Sequence, residues 1–594
     1  MTLKRLLVFF FSSIGFLVAL LLVIGIWEAS HFFETPVVKK IDEDTILTFR
    51  IGRKDLSEKE SLGGFLRSLM KGGSESLDLK TIVKALIEAK IDPHVKGVFL
   101  ILEGSAMGYA QTQEIRDVLK EFQSSGKKIY AYADTFGESS NGTLPYYLAS
   151  IADKVFLQPM GSVCLTGISV EMPFIRKLLD NFKVHPKVTK REEFKSAMES
   201  FTETDFSGPA KENSTKVLQE IVNQMCSDIS QSRKIEKDQV LHLINIAPFL
   251  AEEAISQKLI DQIAYFDEVK DLFKKIISDK ATFLPIVQYA RFIEKNASES
   301  PTKIALIVGE GMIVKTSDDT SQFSVQKTIG ARSFARDIHK AAHDPDVKAI
   351  IIRLNSGGGS AVGSESIWRS IQQAESLGKP VIISMSDYAA SGGYWLATAA
   401  RKIVAQPGTL TGSIGVVAGK AVTKEAWEHY GINWGEIHIG DNAQMWSQIF
   451  DYTSYGQERL NVFLDDIYSK FIQKVSEGRK LEKEKVRSIA KGQVWTGEIA
   501  KTLGLVDELG GLNTAIQVAK KEAGISADEK ISLVDFPKIP GFTGQLMGLG
   551  EDETISFGIL TPLFHAVKSI QQICDYILSS TKTEPLATPQ MVLK

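Results

Sequence analysis

The sequence predicts an α/β protein made of a duplicated domain behind one membrane-spanning segment. Three observations carry that reading. The 594-residue chain repeats itself at an offset of about 250. Each half alternates short β-branched runs with helical stretches. One long apolar run stands close to the N-terminus.

That run comes first. "RLLVFFFSSIGFLVALLLVIGIWEAS" contains 22 residues from Leu6 to Trp27 in which only Ser12 and Ser13 are polar. A spanning helix needs ~20 apolar residues, whereas the core of a cleaved signal peptide has ~7–15. Lys4 and Arg5 precede it, so residues 1–5 are expected in the cytoplasm, 6–27 in the membrane, and the body on the non-cytoplasmic side. A long cleaved signal peptide is the alternative, but no persuasive small-x-small cleavage site follows the run.

The repeat comes next. "DPHVKGVFLILEGSAMG" (Asp92 to Gly108) aligns with "DPDVKAIIIRLNSGGGS" (Asp344 to Ser360) at an offset of 252. "YYLASIADKVFLQP" (Tyr146 to Pro159) aligns with "YWLATAARKIVAQP" (Tyr394 to Pro407) at 248. The halves are expected at residues 45–295 and 303–540, joined by the polar stretch "KNASESPTK", with a tail at 541–594. "KIALIVGEG", "VKAIIIRLN" and "KPVIISMS" read as buried strands. "SESIWRSIQQAESLG" reads as a helix closed by Gly378. Strands alternating with helices imply a parallel sheet with crossover helices. "KVSEGRKLEKEKVRSIAKG" reads as a solvated helix face. In the tail, Leu563, Val567, Ile570, Cys574 and Ile577 share one helical face. That face suits packing on the body or a subunit better than a membrane surface.

Composition narrows the function. A net charge of -3 provides no basic field for nucleic acid. The three cysteines, Cys164, Cys226 and Cys574, form neither a disulfide framework nor a zinc pattern, and no metal or cofactor is expected.

The chemistry is expected where two loops leave the carboxyl edge of the second sheet. "NSGGGS" (Asn355 to Ser360) lacks the ending of a phosphate-binding loop, so a bare turn or an oxyanion hole remains. "AASGGYW" follows the next strand and opens a helix, placing Ser391 beside free N–H groups. The first half has lost both features. It reads "EGSAMG" opposite the glycine loop and Thr143, Leu144, Pro145 opposite Ser391, Gly392, Gly393. A nucleophilic serine needs a base. None of the nine histidines lies in either glycine motif. A buried lysine is the other option, and "EEFKSAMESF" sets Lys195 among Phe194, Ala197, Met198 and Phe201. By composition alone the ordinary reading is a solvated lysine on a helix or strand.

The whole chain resembles the signal peptide peptidase A family in its long, duplicated, membrane-anchored form. The resemblance rests on "RLNSGGGS", "SDYAASGGYWLATAA", "QPGTLTGSIGVVAG", "FKSAMESF" and "VWTGEIAKTLGLVDELG", in family order. It implies tandem ClpP/crotonase-like domains and a Ser/Lys dyad split between the halves. Ser391 matches the nucleophile and Lys195 the general base. Gly358 and Gly392 match the oxyanion donors, and Ser413 matches a hydroxyl that holds the lysine. The family commonly has proline where Gly357 stands. The resemblance further implies a serine peptidase of the bacterial inner membrane, with its body on the periplasmic side. Its substrates would be released signal peptides and similar apolar peptides, and its assembly a homotetramer. Two rivals remain: an inactive peptide-binding scaffold, and a crotonase-type acyl-CoA enzyme, for which an exported anchor is a poor home.

Overall fold

The β-branched runs fold as two parallel sheets, one in each half, and the repeats in sequence are repeats in space. The computed structural model describes residues 38, 40–52, 58, 78–104, 107–296, 300–316 and 327–537. The expected span at 6–27 and the tail at 541–594 lie outside the described residues. Among those described, no helix is long and apolar enough to cross a membrane. The chain divides into two units, Met1–Leu533 and Val534–Lys594, and every element named below lies in the first.

The first half runs β1 (Thr45–Ile51), α1 (Leu79–Ile91), β2 (Val95–Leu102), α2 (Tyr109–Gln123), β3 (Lys128–Ala133), α3 (Thr143–Ala149) and β4 (Lys154–Leu157). Then come β5 (His185–Arg191), α4 (Gly208–Arg233), β6 (Gln262–Ile263) and β7 (Thr282–Pro285). Its sheet has the order β6-β4-β3-β2-β1-β7, parallel throughout. The second half runs β8 (Lys303–Glu310), β9 (Met312–Val314), α5 (Ala331–His343), β10 (Val347–Ser356), α6 (Ala361–Ser376), β11 (Val381–Ala390) and α7 (Gly392–Ala397). It continues with β12 (Lys402–Ala405), β13 (Leu410–Gly412), β14 (Val416–Val422), α8 (Ser454–Arg479), β15 (Val494–Thr496), β16 (Glu508–Leu509) and α9 (Leu512–Glu522). Its sheet places β11, β10 and β8 side by side, with β12 and β13 on β11. Only the β13–β15 pair among these is antiparallel.

The central strands are apolar on both faces because helices cover both. In β10, Ala349 to Ile352 and Leu354 are fully buried, as are Val381 to Ile383 in β11. Each large aliphatic side chain taken from water contributes about 1.5–3 kcal/mol. The helix before β11 ends as expected, with Gly378 at φ +78°.

Equivalent residues make equivalent contacts in the two halves. The Tyr146 hydroxyl donates to the Leu259 carbonyl at 2.8 Å, and the Tyr394 hydroxyl to the Leu505 carbonyl at 2.8 Å. Arg233 pairs with Asp261 and Arg479 with Asp507, each at 2.9 Å. One expectation needs correction. "KVSEGRKLEKEKVRSIAKG" is not one helix face. α8 stops at Lys480, whose φ of 54° is left-handed, and a separate helix runs from Lys483 to Ile489.

The halves are tied by an antiparallel ribbon. β5 of the first half pairs with β14 of the second, from Arg191 opposite Val416 to His185 opposite Val422. This ribbon delivers a piece of the first half to the carboxyl edge of the second sheet.

Candidate active site

Ser391 lies where β11 ends and α7 begins. Its backbone has φ 53° and ψ -119°, a left-handed conformation that L-residues avoid. Such strain costs about 1–3 kcal/mol, and the Ser391 N–H bond to the Gly412 carbonyl at 2.9 Å helps hold it. The turn is sharp, so the hydroxyl stands out from the strand end. α7 has only six residues, so the N–H of Gly392, which makes no hydrogen bond among the described residues, matters here more than a helix dipole.

Lys195 arrives from the first half. It lies in a loop just beyond β5, not in a helix or strand. The structure brings its Nζ to 3.0 Å from Ser391 Oγ, 2.9 Å from Ser413 Oγ and 2.9 Å from the Ser413 carbonyl oxygen. A neutral amine has two N–H donors and one lone pair. The two donors suit the Ser413 oxygens and the lone pair suits the Ser391 hydroxyl. Lys195 is 4% exposed, and burial lowers its pKa to about 8.

The wall that buries Lys195 is only partly the one expected: Phe194 and Met198 are half-buried. Phe201 is 40% exposed and Ala197 is also exposed. The close neighbours are backbone from the second half. A methyl added at Gly492 would lie 2.6 Å from Lys195 N, and one at Gly415 would lie 3.2 Å from Lys195 Cδ. "GSIG" and "AKGQ" held that signal as glycines where close approach is needed.

The glycine loop also differs in one register. The Gly358 N–H donates to Ser356 Oγ at 3.2 Å, so the donor expected at Gly358 is engaged inside its own loop. Gly358 is instead held by space and dihedral: φ is +102°, and a methyl there would lie 2.6 Å from Gly392 N and 2.9 Å from Ser391 Cβ. The N–H facing Gly392 is that of Gly359, 3.2 Å from where a Gly392 methyl would stand. It makes no hydrogen bond among the described residues. A cleft of about 670 Å³ opens beside this loop, lined by Glu310, Met312, Asn355, Gly357, Gly359 and Tyr388.

The matching place in the first half is closed. Thr143 is buried, and its hydroxyl donates to the Gly167 carbonyl at 2.9 Å. Thr143→Val is therefore expected to cost about 1 kcal/mol of stability. It should leave kcat/KM within about twofold of the parent, which peptide turnover after a thermal melt would check; a loss approaching that of Ser391→Ala would contradict the one-site reading.

Comparisons with known proteins identify the family. Peptidase family S49 matches residues 121–278 and again 373–526. Protease 4 of Haemophilus influenzae is 33% identical over 459 residues, which cover 74% of this chain and 72% of that one. The chain belongs to peptidase family S49. Protease 4 of Salmonella typhi is 31% identical, covering 79% and 76% of the two chains. The chloroplastic serine protease SPPA of Arabidopsis thaliana is 29% identical, covering 93% of this chain and 80% of its own. This S49 chain is a serine peptidase, and its two family matches fall one in each repeat.

Proposed function

We propose that this S49 peptidase is a membrane-anchored endopeptidase that cuts released signal peptides and similar apolar peptides. In this reading Ser391 is the nucleophile and Lys195 the general base. One observation carries the reading: a lysine whose pKa burial lowers to about 8 stands 3.0 Å from a strained serine hydroxyl. The acyl-CoA and scaffold rivals leave that pairing without a purpose.

The steps follow from the contacts. Neutral Lys195 takes the Ser391 hydroxyl proton as Oγ attacks the peptide carbonyl carbon. The Gly359 and Gly392 N–H groups hold the resulting oxyanion. Lys195 then returns its proton to the leaving amine as the C–N bond breaks, giving the acyl-enzyme. Water next loses a proton to Lys195 and attacks the ester, and Ser391 leaves with that proton. Ser413 aims the amine throughout.

The apolar substrate class rests on the family resemblance and on an exposed cleft bearing Met312 and Tyr388. The anchor at 6–27 would keep the enzyme beside its substrates in the bacterial inner membrane, with the body in the periplasm. Protease added to intact spheroplasts should degrade the body, and full protection would sink that topology. A synthetic signal peptide incubated with the full chain in detergent should be cut within its apolar core. Cleavage of polar peptides alone would overturn the substrate class.

A head-to-tail homotetramer fits the pattern of unused edges. Within the chain, β5 of the first half pairs with β14 of the second. Their counterparts, residues 434–440 and 167–173, are in no strand among the described residues. Ile437 and Ile439 are fully exposed there, and Val170 is half exposed. Repeating the internal pairing between copies would cover all three.

A further inference from the structure

Two helices that face the other repeat begin at glycine and lack a side-chain cap of their own. α2 of the first half has Gly108 at its N-cap, and α9 of the second has Gly511. In each case the other repeat sends a carboxylate into the empty place. Asp387 Oδ1 accepts the Ala110 N–H at 2.9 Å and the Gln111 N–H at 3.2 Å. Glu114 Oε1 accepts the Leu512 N–H at 2.6 Å. A methyl at Gly108 would fall 2.1 Å from the Asp387 carboxylate, and one at Gly511 would fall 2.4 Å from that of Glu114. The second-half equivalent of α2 behaves differently. That helix, α6, is capped by its own Ser360 through the Gly363 N–H. Gly108 stands at the position of Ser360, so the first repeat has given up its local cap and taken one from its neighbour.

The carboxylate that caps α2 lies on the strand that leads to the serine. Asp387 is four residues before Ser391 on β11, and Tyr388, next to it, lines the cleft. Its neighbour Ser386 donates to the buried Glu58. Arg353, on β10 just before the glycine loop, is buried between Glu58 at 2.8 Å and Glu114 at 2.7 Å. It also donates to Ser384 of β11 at 3.0 Å. Thus the roots of the serine strand and of the glycine-loop strand are gripped by the repeat that brings Lys195.

We propose that Asp387 is a positioning residue, a latch that sets the distance between the Lys195 amine and the Ser391 hydroxyl by capping α2 across the joint between repeats. This rests on the dyad reading above. A displacement of about 1 Å between reacting groups can cost on the order of 100-fold in rate. A loosened joint would also admit water to Lys195 and let its pKa climb back toward the ordinary lysine value.

The test separates a latch from a simple helix cap. Asp387→Ala should lower kcat roughly 10- to 100-fold per folded enzyme, leave KM nearly unchanged, and move the alkaline rise of kcat/KM to higher pH. Asp387→Asn keeps an acceptor oxygen and should recover most of the loss. Asp387→Ala combined with Gly108→Ser restores a local cap like that of Ser360, without a tie between the repeats. Its melting temperature should recover while kcat and the pH profile stay those of Asp387→Ala. Gly108→Ala, which drives a methyl into the same carboxylate from the other side, should resemble Asp387→Ala. Full recovery of kcat by the Gly108→Ser combination would reduce Asp387 to a structural cap. An unchanged kcat and pH profile in Asp387→Ala would remove the latch altogether. If Ser391→Ala were itself active, the dyad reading would fail first, which keeps the two failures distinct.

Discussion

Ser391→Ala is expected to lower kcat/KM by on the order of 10^4- to 10^6-fold while the protein melts as before. In the proposed mechanism this hydroxyl forms the acyl-enzyme, and the neighbouring Ser413 hydroxyl holds the lysine instead of attacking. Its Oγ is within hydrogen-bonding reach of Lys195, whose amine keeps both Ser413 contacts in the variant, so the packing barely changes. Peptide affinity should persist, because the cleft beside Gly359 and Tyr388 is untouched. Turnover of a signal peptide, measured beside a thermal melt and a binding titration, reads all three. Substantial residual turnover would take Ser391 out of the mechanism.

Lys195→Arg is expected to be as inactive as Lys195→Ala, each losing on the order of 10^2- to 10^4-fold. Arginine keeps the charge but cannot give up its proton, so charge alone should rescue nothing. In the parent enzyme the sign is set by which form works. In the proposed mechanism the base is the neutral amine, so kcat/KM should rise tenfold per pH unit below about 8 and level above it. The same shift bears on stability. A lysine whose folded pKa is depressed favours the fold when neutral. That contribution is present above the ordinary lysine pKa and lost as pH falls through about 8. Lys195→Met should therefore melt higher than the parent at pH 7. The gain is at most about 3 kcal/mol, less what the freed Ser413 oxygens lose, and it should shrink as pH rises. A parent enzyme active at pH 5 as at pH 9 would contradict this.

Much of this site could be read from the residues, for physical reasons. Buried parallel strands are apolar on both faces, so β10 and β11 stood out, and their carboxyl ends led to Asn355–Ser360 and Ser391. Thr143, Leu144 and Pro145 opposite Ser391, Gly392 and Gly393 marked the first half as lacking the serine and glycine geometry, and its threonine is tied to Gly167. What failed was whatever depends on distant backbone. Lys195 was expected to be buried by its sequence neighbours, of which Phe194 and Met198 are half-buried, but Gly415 and Gly492, more than 200 residues away, also press against it. Three successive glycines, Gly357 to Gly359, look alike in sequence. Only the bond from Gly358 to Ser356 passes the free donor to Gly359. The cross-repeat caps at Gly108 and Gly511 were invisible because a glycine at a helix start does not announce whose carboxylate fills it. The membrane run at 6–27 lies outside the described residues, and its reading rests on length and flanking charge.

The central claim is that one hydrolytic centre joins Ser391 of the second repeat to Lys195 of the first. Labelling the full chain with a serine-directed fluorophosphonate, mapping the adduct by mass spectrometry and following its rate from pH 5 to 10 tests that most directly. A single adduct is expected on Ser391, formed at a rate that rises through about pH 8 and collapses in Lys195→Arg. An adduct on another serine, or the same rate in Lys195→Arg as in the parent, would contradict it.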